Sequence, residues 1–478
     1  MTAPATPTLE TIRRRIALMV RGNLGVMMLN QVLLALTNLV LLILINRVYA
    51  RPGDTGDAGR LAAIMSIMMA AVLLAVGGVA RAVTLRLSCA RADPAGNVKD
   101  SLSTMVGGGL VLASVIGMGL ALVGLAAPSL VLAGARAWWP AHADLVDSYV
   151  RPLQLGALWL PGYSVIMMAA AVYDGFQSMR WSLLAEAGTL QLLRILAAVL
   201  VMSVLGWAWT SLVSAWAVAF VIAHVVVLGE MALFLRVNRQ PVAWRGLPLG
   251  GLVRDGAVLF LPTMAPLLIS RAGVLIAWAG AGVQASAGFW VTWTLATAAT
   301  EFCMPVSRVL FPAVPNLRRH PDRGKLTRVL RASFWGVSAV TIASFIVIIA
   351  FKHRILTYLN QELQAAALTA FLAAAFFDVH RMVFNPVLLV MGRGKALALL
   401  EWLSLASILA GGFAAVNAWG VLGLAGVFVV VQVLSAVVRV SMIARVSGAV
   451  VWLDTVVSGA LVLAATGALL FLELKGRG

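Results

Sequence analysis

Charge is scarce in this sequence, and acid is scarcest of all. Only 11% of the 478 residues are Asp, Glu, Lys or Arg, against 62% hydrophobic, whereas a soluble domain carries about a quarter charged residues. A water-soluble globular fold is excluded, in keeping with a mean hydropathy of +0.97. The apolar residues form runs of roughly 20 or more without strict alternation, which excludes a β-barrel and selects spanning helices. Cysteine is nearly absent: Cys89 and Cys303 lie far apart near or within apolar runs, so neither a disulfide framework nor a thiolate metal site is indicated. Also missing are a Walker A loop, a metal-spaced His cluster and a Ser/His/Asp set on one wall. No enzyme, cofactor or metal is therefore expected. Any work the chain does must be driven by an ion gradient, the membrane potential or product removal.

What charge there is has one sign. Lys and Arg number 36 against 18 acids, a net of +18, with a sequence pI near 11.3. In a soluble protein this balance would suggest nucleic-acid binding. Here the basic residues gather in short loops between apolar runs, where the positive-inside effect places them. The clusters Arg13–Arg15 and Arg318–Arg331 could also touch RNA or anionic lipid.

Apolar runs bounded by Gly, Pro and charge predict helices near 23–48, 59–85, 103–126, 152–174, 184–205 and 211–235, then 255–278, 286–310, 332–351, 365–390, 397–416 and 420–443. A thirteenth lies near 450–472, either spanning or peripheral. With a cytoplasmic N-terminus, twenty loop Lys/Arg fall inside and nine outside, an asymmetry that a missed early helix would scramble. Trp138, Trp139, Trp207, Trp209 and Trp419 mark the outer boundary. The basic N-terminal stretch lacks a small-residue cleavage site, so no cleavable signal is expected. Residues 8–20 read as a surface helix, capped by Thr8, with Ile12, Ile16 and Met19 as its apolar stripe.

Helices one and two join through a segment that recurs between helices seven and eight. At a constant offset of 229 residues Ala50/Ala279, Gly53/Gly282, Ala58/Ala287 and Gly59/Gly288 coincide. An even number of helices per half makes the halves parallel repeats. The expected fold is all-α and polytopic: two six-helix bundles around a central cavity, with an extra C-terminal helix. Expected units are 1–240, 241–445 and 446–478.

This pattern resembles the multidrug/oligosaccharidyl-lipid/polysaccharide (MOP) exporter superfamily, and within it the polysaccharide-flippase branch. The residues that carry the likeness are Val48-Tyr49-Ala50-Arg51 through Gly59, then Ser66, and Gly78-Val79-Ala80-Arg81-Ala82-Val83. In the second half they are Leu261-Pro262, Gly282 to Gly288, and Arg308-Val309-Leu310-Phe311-Pro312. There is one departure: where many members carry an acid near the end of the seventh helix, this chain reads Ser270-Arg271. The resemblance implies a flippase moving a lipid-linked oligosaccharide or polysaccharide precursor from the cytoplasmic to the outer leaflet by alternating access.

Seven arginines belong to no loop. Arg81, Arg254, Arg308 and Arg439 fall near predicted cytoplasmic ends, where a long side chain can snorkel. Arg194, Arg271 and Arg381 lie deeper, and each would cost roughly 2.5–3.5 kcal/mol facing lipid, so they should face the bundle or a wet cavity. These three, with Asn30, Asn38 and Asn385, are the candidate substrate contacts; Arg271 leads, since a guanidinium can grip a carboxylate or pyrophosphate bidentately. Asp378, Arg381 and Asn385 share a helix face at i, i+3 and i+7, with His380 to the side. Asp378–Arg381 is either an internal neutralising pair or a pair that opens to substrate or proton. Asp378 and Glu301 are the candidate ion-coupling acids. Pro262, Pro266, Pro305 and Pro386 are candidate hinges, because each removes a helix-ladder bond. The polar stripe Asn23, Asn30, Thr37, with Gln31 and Asn38 beside it, is either interhelical glue or a sugar-hydroxyl surface. Glu186, Glu230 and Glu401 lie toward cytoplasmic ends and read as loop-side ion pairs.

Two other functions compete. One is a MATE-like or ankylosis-type ion-coupled exporter of a small drug or organic anion, the other a non-transporting scaffold. Expected partners are the anionic lipid-linked glycan, membrane lipid, and glycan polymerase or glycosyltransferases. No nucleic acid is expected, and a monomer in the cell's inner membrane is.

Overall fold

The computed structural model describes residues 32–49, 56–92, 98–138, 143–176, 178–204, 208–240, 242–301, 324–447 and 451–475, with single positions between 301 and 324. The 8–20 helix, Asn23, Asn30, Gln31, Gly53 and Pro305 lie outside them, as do the side chains of Glu186, Pro262 and Glu301. Every described element is helical. In order they are α1 (Val32–Tyr49), α2 (Gly56–Ala92), α3 (Val98–Trp138), α4 (Ala143–Ala157) and α5 (Trp159–Gly175). Then come α6 (Met179–Leu183), which runs through a π-helical turn at Leu184–Leu190 into α7 (Gln191–Val204), and α8 (Trp209–Val237). The second half has α9 (Leu249–Glu301), α10 (Gly324–Tyr358), α11 (Ala365–Val390), α12 (Gly394–Ser447) and α13 (Trp452–Lys475).

Eleven described stretches are long and apolar enough to cross a membrane, and the chain is a multi-pass membrane protein. Two of them fold back on themselves, and counting both arms of each gives the thirteen segments that the hydropathy pattern predicts. In α9 the break is Gly282, at φ +84° and ψ −175°, a conformation open to glycine and costly to residues with a Cβ. This is the glycine that the internal repeat pairs with Gly53. In α12 the break is Trp419–Gly420, with Gly420 at φ +60°. Its two arms run antiparallel, as the contacts of Gly423 with Ala415 and of Gly412 with Leu424 require. The repeat glycines Gly59 and Gly288 are both crowded, Gly59 by Val283 and Ser286, Gly288 by the Gln364 side chain.

The two bundles meet along α2 and α9, where α2 packs antiparallel to the first arm of α9 and its start touches the first turn past the Gly282 break. Ser286 donates to the Gly59 carbonyl at 3.1 Å near one end. Gly77 and Gly78 lie against Met264, Gly256 and Phe260 farther along. Arg86 binds Asp255 at 2.6 Å at the other end. Glycines on both helices let the backbones approach closely, and dispersion between close backbones is what holds helices together where lipid is as apolar as the side chains.

The C-terminal helix has 24 residues, about 36 Å at 1.5 Å per residue, long and apolar enough for a full crossing. It is pinned at both ends. Asp454 accepts from Arg331 Nε at 2.7 Å and Trp335 Nε1 at 3.1 Å. Near the far end, Glu473 pairs with Lys352 and accepts from Thr369 Oγ1 at 3.0 Å. Because Arg331 and Lys352 stand in that order on α10, α13 runs parallel to α10. Between the clamps Gly459 lies on the Phe377 ring. So covered, α11 is 94% buried over its span, whereas α13 itself is 17% buried and turns Leu461, Phe471 and Leu472 outward.

Candidate functional site

The deep arginines are placed in three different settings. Arg194 on α7 is only 3% exposed. Its Nη1 donates to Gln191 Oε1 at 3.0 Å, one turn back, and its guanidinium carbon stands 5.0 Å from the Trp216 ring centroid. Trp216 in turn donates its indole N–H to the Arg194 carbonyl at 3.2 Å. The side chain is thus fixed by one amide and one aromatic face, the environment a weakly hydrated guanidinium tolerates. Its Nε has no hydrogen-bond partner. The pocket it lines is apolar and polarizable: Met65, Met68, Met69, Trp159, Tyr163 and Phe220. Trp159 and Phe220 stack at 5.4 Å with 17° between their planes.

Arg271 comes from α9, in the other half of the chain, and is half-buried. Its charge acts on Arg194, though less than burial and Tyr163 do.

Arg381 binds Asp378 at 2.9 Å within α11, with the two side chains 19% and 9% exposed. Asn385, expected on the same face, is drawn elsewhere. Its Nδ2 donates to Glu401 Oε1 at 3.0 Å, and Arg439 Nη2 donates to that same oxygen at 2.9 Å. Glu401 and Arg439 are each 1% exposed. Glu401 is ion-paired as expected, but two expectations are corrected: Arg439 does not snorkel to a surface, and the pair lies in the interior rather than at the loop side. They form an interior pair because the antiparallel arms of α12 bring residues 38 apart face to face. Ser404 and Ser435, 2.6 Å apart, make the next rung of the same ladder. His380, 0% exposed, stacks on Phe334 at 4.7 Å and meets Phe376 edge-on at 4.9 Å.

Asn38 on α1 is half-buried. Glu230 accepts a short hydrogen bond from Thr189. The backbone of α9 is helical through Pro262 and Pro266, and that of α11 through Pro386.

Sequence reasoning did not single out the lining of the Arg194 pocket. The signal was present as i, i+3, i+4 spacing in Met65/Met68/Met69, i, i+4 in Trp159/Tyr163 and Trp216/Phe220, and i, i+3 in Gln191/Arg194. In an all-apolar chain such a stripe reads the same whether it lines a pocket or packs a core.

No family model and no curated protein matches this sequence. Solved structures do. One, the inward-facing conformation of a multidrug resistance MATE family transporter of the MOP superfamily, aligns at TM-score 0.66 and 14% identity over 85% of this chain and 94% of its own. The MATE multidrug transporter DinF-BH, solved in complex with a ligand, aligns at 0.67 and 17% identity over 93% and 98%. A MOP superfamily transporter from Pyrococcus furiosus, described as having a binding pocket whose reverse polarity suggests a different function, aligns at 0.64 and 15% identity over 88% and 93%. The chain has the fold of these MATE-type transporters.

Proposed function

We propose that this chain is a transporter that carries an amphipathic organic anion across the membrane by alternating access, the leading cargo being a lipid-linked oligosaccharide or polysaccharide precursor. The observation that carries the reading is Arg194 itself: a guanidinium 3% exposed, its Nε without a hydrogen-bond partner, lining an apolar pocket. An anion bound by Arg194, and by Arg271 from the other half, would satisfy the buried charge and tie the halves together. A site whose electrostatic cost falls on loading closes when full and opens when empty, as a carrier requires. The cavity beside Arg194 holds about 10 Å³ in this conformation, so its methionines and stacked rings must part to become a soft apolar wall for the uncharged part of the cargo.

In this reading residues 1–240 and 241–445 are the rocking units and 446–478 belongs with the second. The membrane is the inner one, with the N-terminus cytoplasmic. Asp378, held by Arg381, couples transport to an ion only if that pair opens.

The test is export of surface glycan, or of a labelled lipid-linked glycan in vesicles, by Arg194→Gln and Arg271→Gln proteins shown to be inserted and folded. Removing either charge should cost about tenfold or more in transport, since a charge-assisted contact is worth roughly 1.5–3 kcal/mol. Unchanged export by both variants would end the proposal.

A second reading has its own support. The stacked Trp159 and Phe220 suit a planar drug as well as a lipid chain, and one structural neighbour is a multidrug transporter solved with a ligand bound. Dye efflux that depends on pH or Na⁺, with surface glycan unaffected, would favour an ion-coupled small-solute exporter.

A further inference from the structure

A groove that shares no lining residue with the Arg194 pocket runs between α1 and the segment from Arg180 to Leu192. One wall is Leu33 and Thr37 of α1; the other is Leu184, Gly188 and Leu192. The π-helical turn at Leu184–Leu190 lies in that second wall, and such turns recur at functional places in helices. Gly188 brings no side chain, so it leaves the groove its depth between Leu184 and Leu192, which are 44% and 56% exposed. Thr37 spends its hydroxyl on the Leu33 carbonyl at 2.8 Å, so its wall is apolar too. α7 thus turns Leu192 to this groove and Arg194 to the other pocket.

One end differs from the rest. Arg180 is exposed, with Trp181 beside it, and forms no ion pair among the described residues. From Arg180 to Leu192 the chain rises roughly 18 Å at 1.5 Å per residue. The hydrocarbon of one leaflet is roughly 15 Å deep, half of about 30 Å. The groove is therefore one leaflet long, apolar inside, and positive at the end that the loop charges assign to the cytoplasm.

We propose that this groove seats one anionic phospholipid of the cytoplasmic leaflet, its phosphate on Arg180 and one acyl chain along Leu184, Gly188 and Leu192. A soluble phosphate compound would leave the apolar walls empty, and a zwitterionic lipid would leave the arginine with a neutralised partner. An interfacial Trp next to the cation is the arrangement that places a headgroup and its chain in register. The seat does not depend on what the central site carries.

The experiment uses the full chain in nanodiscs of phosphatidylglycerol and phosphatidylcholine, with a trace of either lipid bearing a photoactivatable acyl chain, and maps the adducts. Labelled phosphatidylglycerol should mark the Arg180–Leu192 segment and α1, and labelled phosphatidylcholine should mark them less. Arg180→Gln should lower the phosphatidylglycerol adducts about fivefold, the effect of one basic residue at an anionic surface, while Arg180→Lys retains most of them. Gly188→Phe should lower them by filling the floor with the headgroup contact intact. Equal labelling by both lipids would overturn the proposal. So would adducts that Arg180→Gln leaves unchanged in a protein with an unaltered melting temperature. Transport assays play no part in this readout, so a failed seat and a failed cargo assignment are told apart.

Discussion

A carboxylate with 1% exposure has no water to lean on, so its neighbours must supply what hydration would. Glu401 obtains this from Arg439 and Asn385, both donating to one oxygen. Removing one member of a buried pair leaves the other uncompensated and costs roughly 3–5 kcal/mol, while replacing both by apolar groups of similar size is often near neutral. Glu401→Gln should therefore lower the melting temperature of the purified protein sharply, and Glu401→Leu with Arg439→Met should recover most of the loss. A double variant no more stable than the single would show that the two residues are not energetically coupled. Arg194 invites a different residue-scale test. Arg194→Lys keeps the charge but gives up the planar face on Trp216, so it should lose transport nearly as far as Arg194→Gln while insertion stays normal. Full activity in the lysine variant would mean that charge alone suffices.

At the scale of elements, α13 is a cover for α11. Its clamps at Asp454 and Glu473 are set apart by about the hydrocarbon thickness, since Arg331 and Lys352 stand roughly 31 Å apart along α10 at 1.5 Å per residue. Gly459 holds it close, because a Cβ there would sit 3.0 Å from the Phe377 ring. Gly459→Leu should push α13 away and destabilise by about 1–3 kcal/mol, the usual range for overpacking, as read by thermal unfolding. Glu473→Lys should destabilise as well, by setting two cations together, and the swap Lys352→Glu with Glu473→Lys should restore stability. No rescue by the swap would deny that the pair holds the helix.

For the molecule as a whole, the seam between α2 and α9 decides how the halves can move. Gly78 lies against the Gly256 backbone, and its Cβ would stand 3.0 Å from Phe260. Gly78→Val should hold the seam apart, change the accessibility of engineered cysteines along it and slow transport, with little effect on membrane insertion. Unaltered accessibility would place the moving surface elsewhere. Arg86 and Asp255, 25% and 36% exposed, lie across the same seam in partial contact with water, so their bond should bear on the closing equilibrium more than on stability. Topology is testable too: if the N-terminus is cytoplasmic, as proposed, and all thirteen segments cross, the C-terminus is outside, and a C-terminal tag should react with impermeant reagents on intact cells.

The all-helical class and the apolar segments were legible in the sequence, because lipid offers no partner to a free backbone group and long apolar runs can satisfy themselves only as helices. The sequence also located the turn glycine at Gly282 and the Asp378–Arg381 pair, since both are local: one is set by a single residue's φ, the other by i, i+3 spacing. Which deep arginine meets which neighbour was decided by tertiary structure alone. Arg439 finds Glu401 because the arms of α12 run antiparallel in one register, Asn385 turns to that pair rather than to Arg381, and Arg194 lies on the Trp216 ring of the neighbouring helix. Hydrophobic periodicity cannot encode such contacts, because in a chain this apolar every face of a helix reads alike, and the choice among faces is made by close packing of glycines and rings.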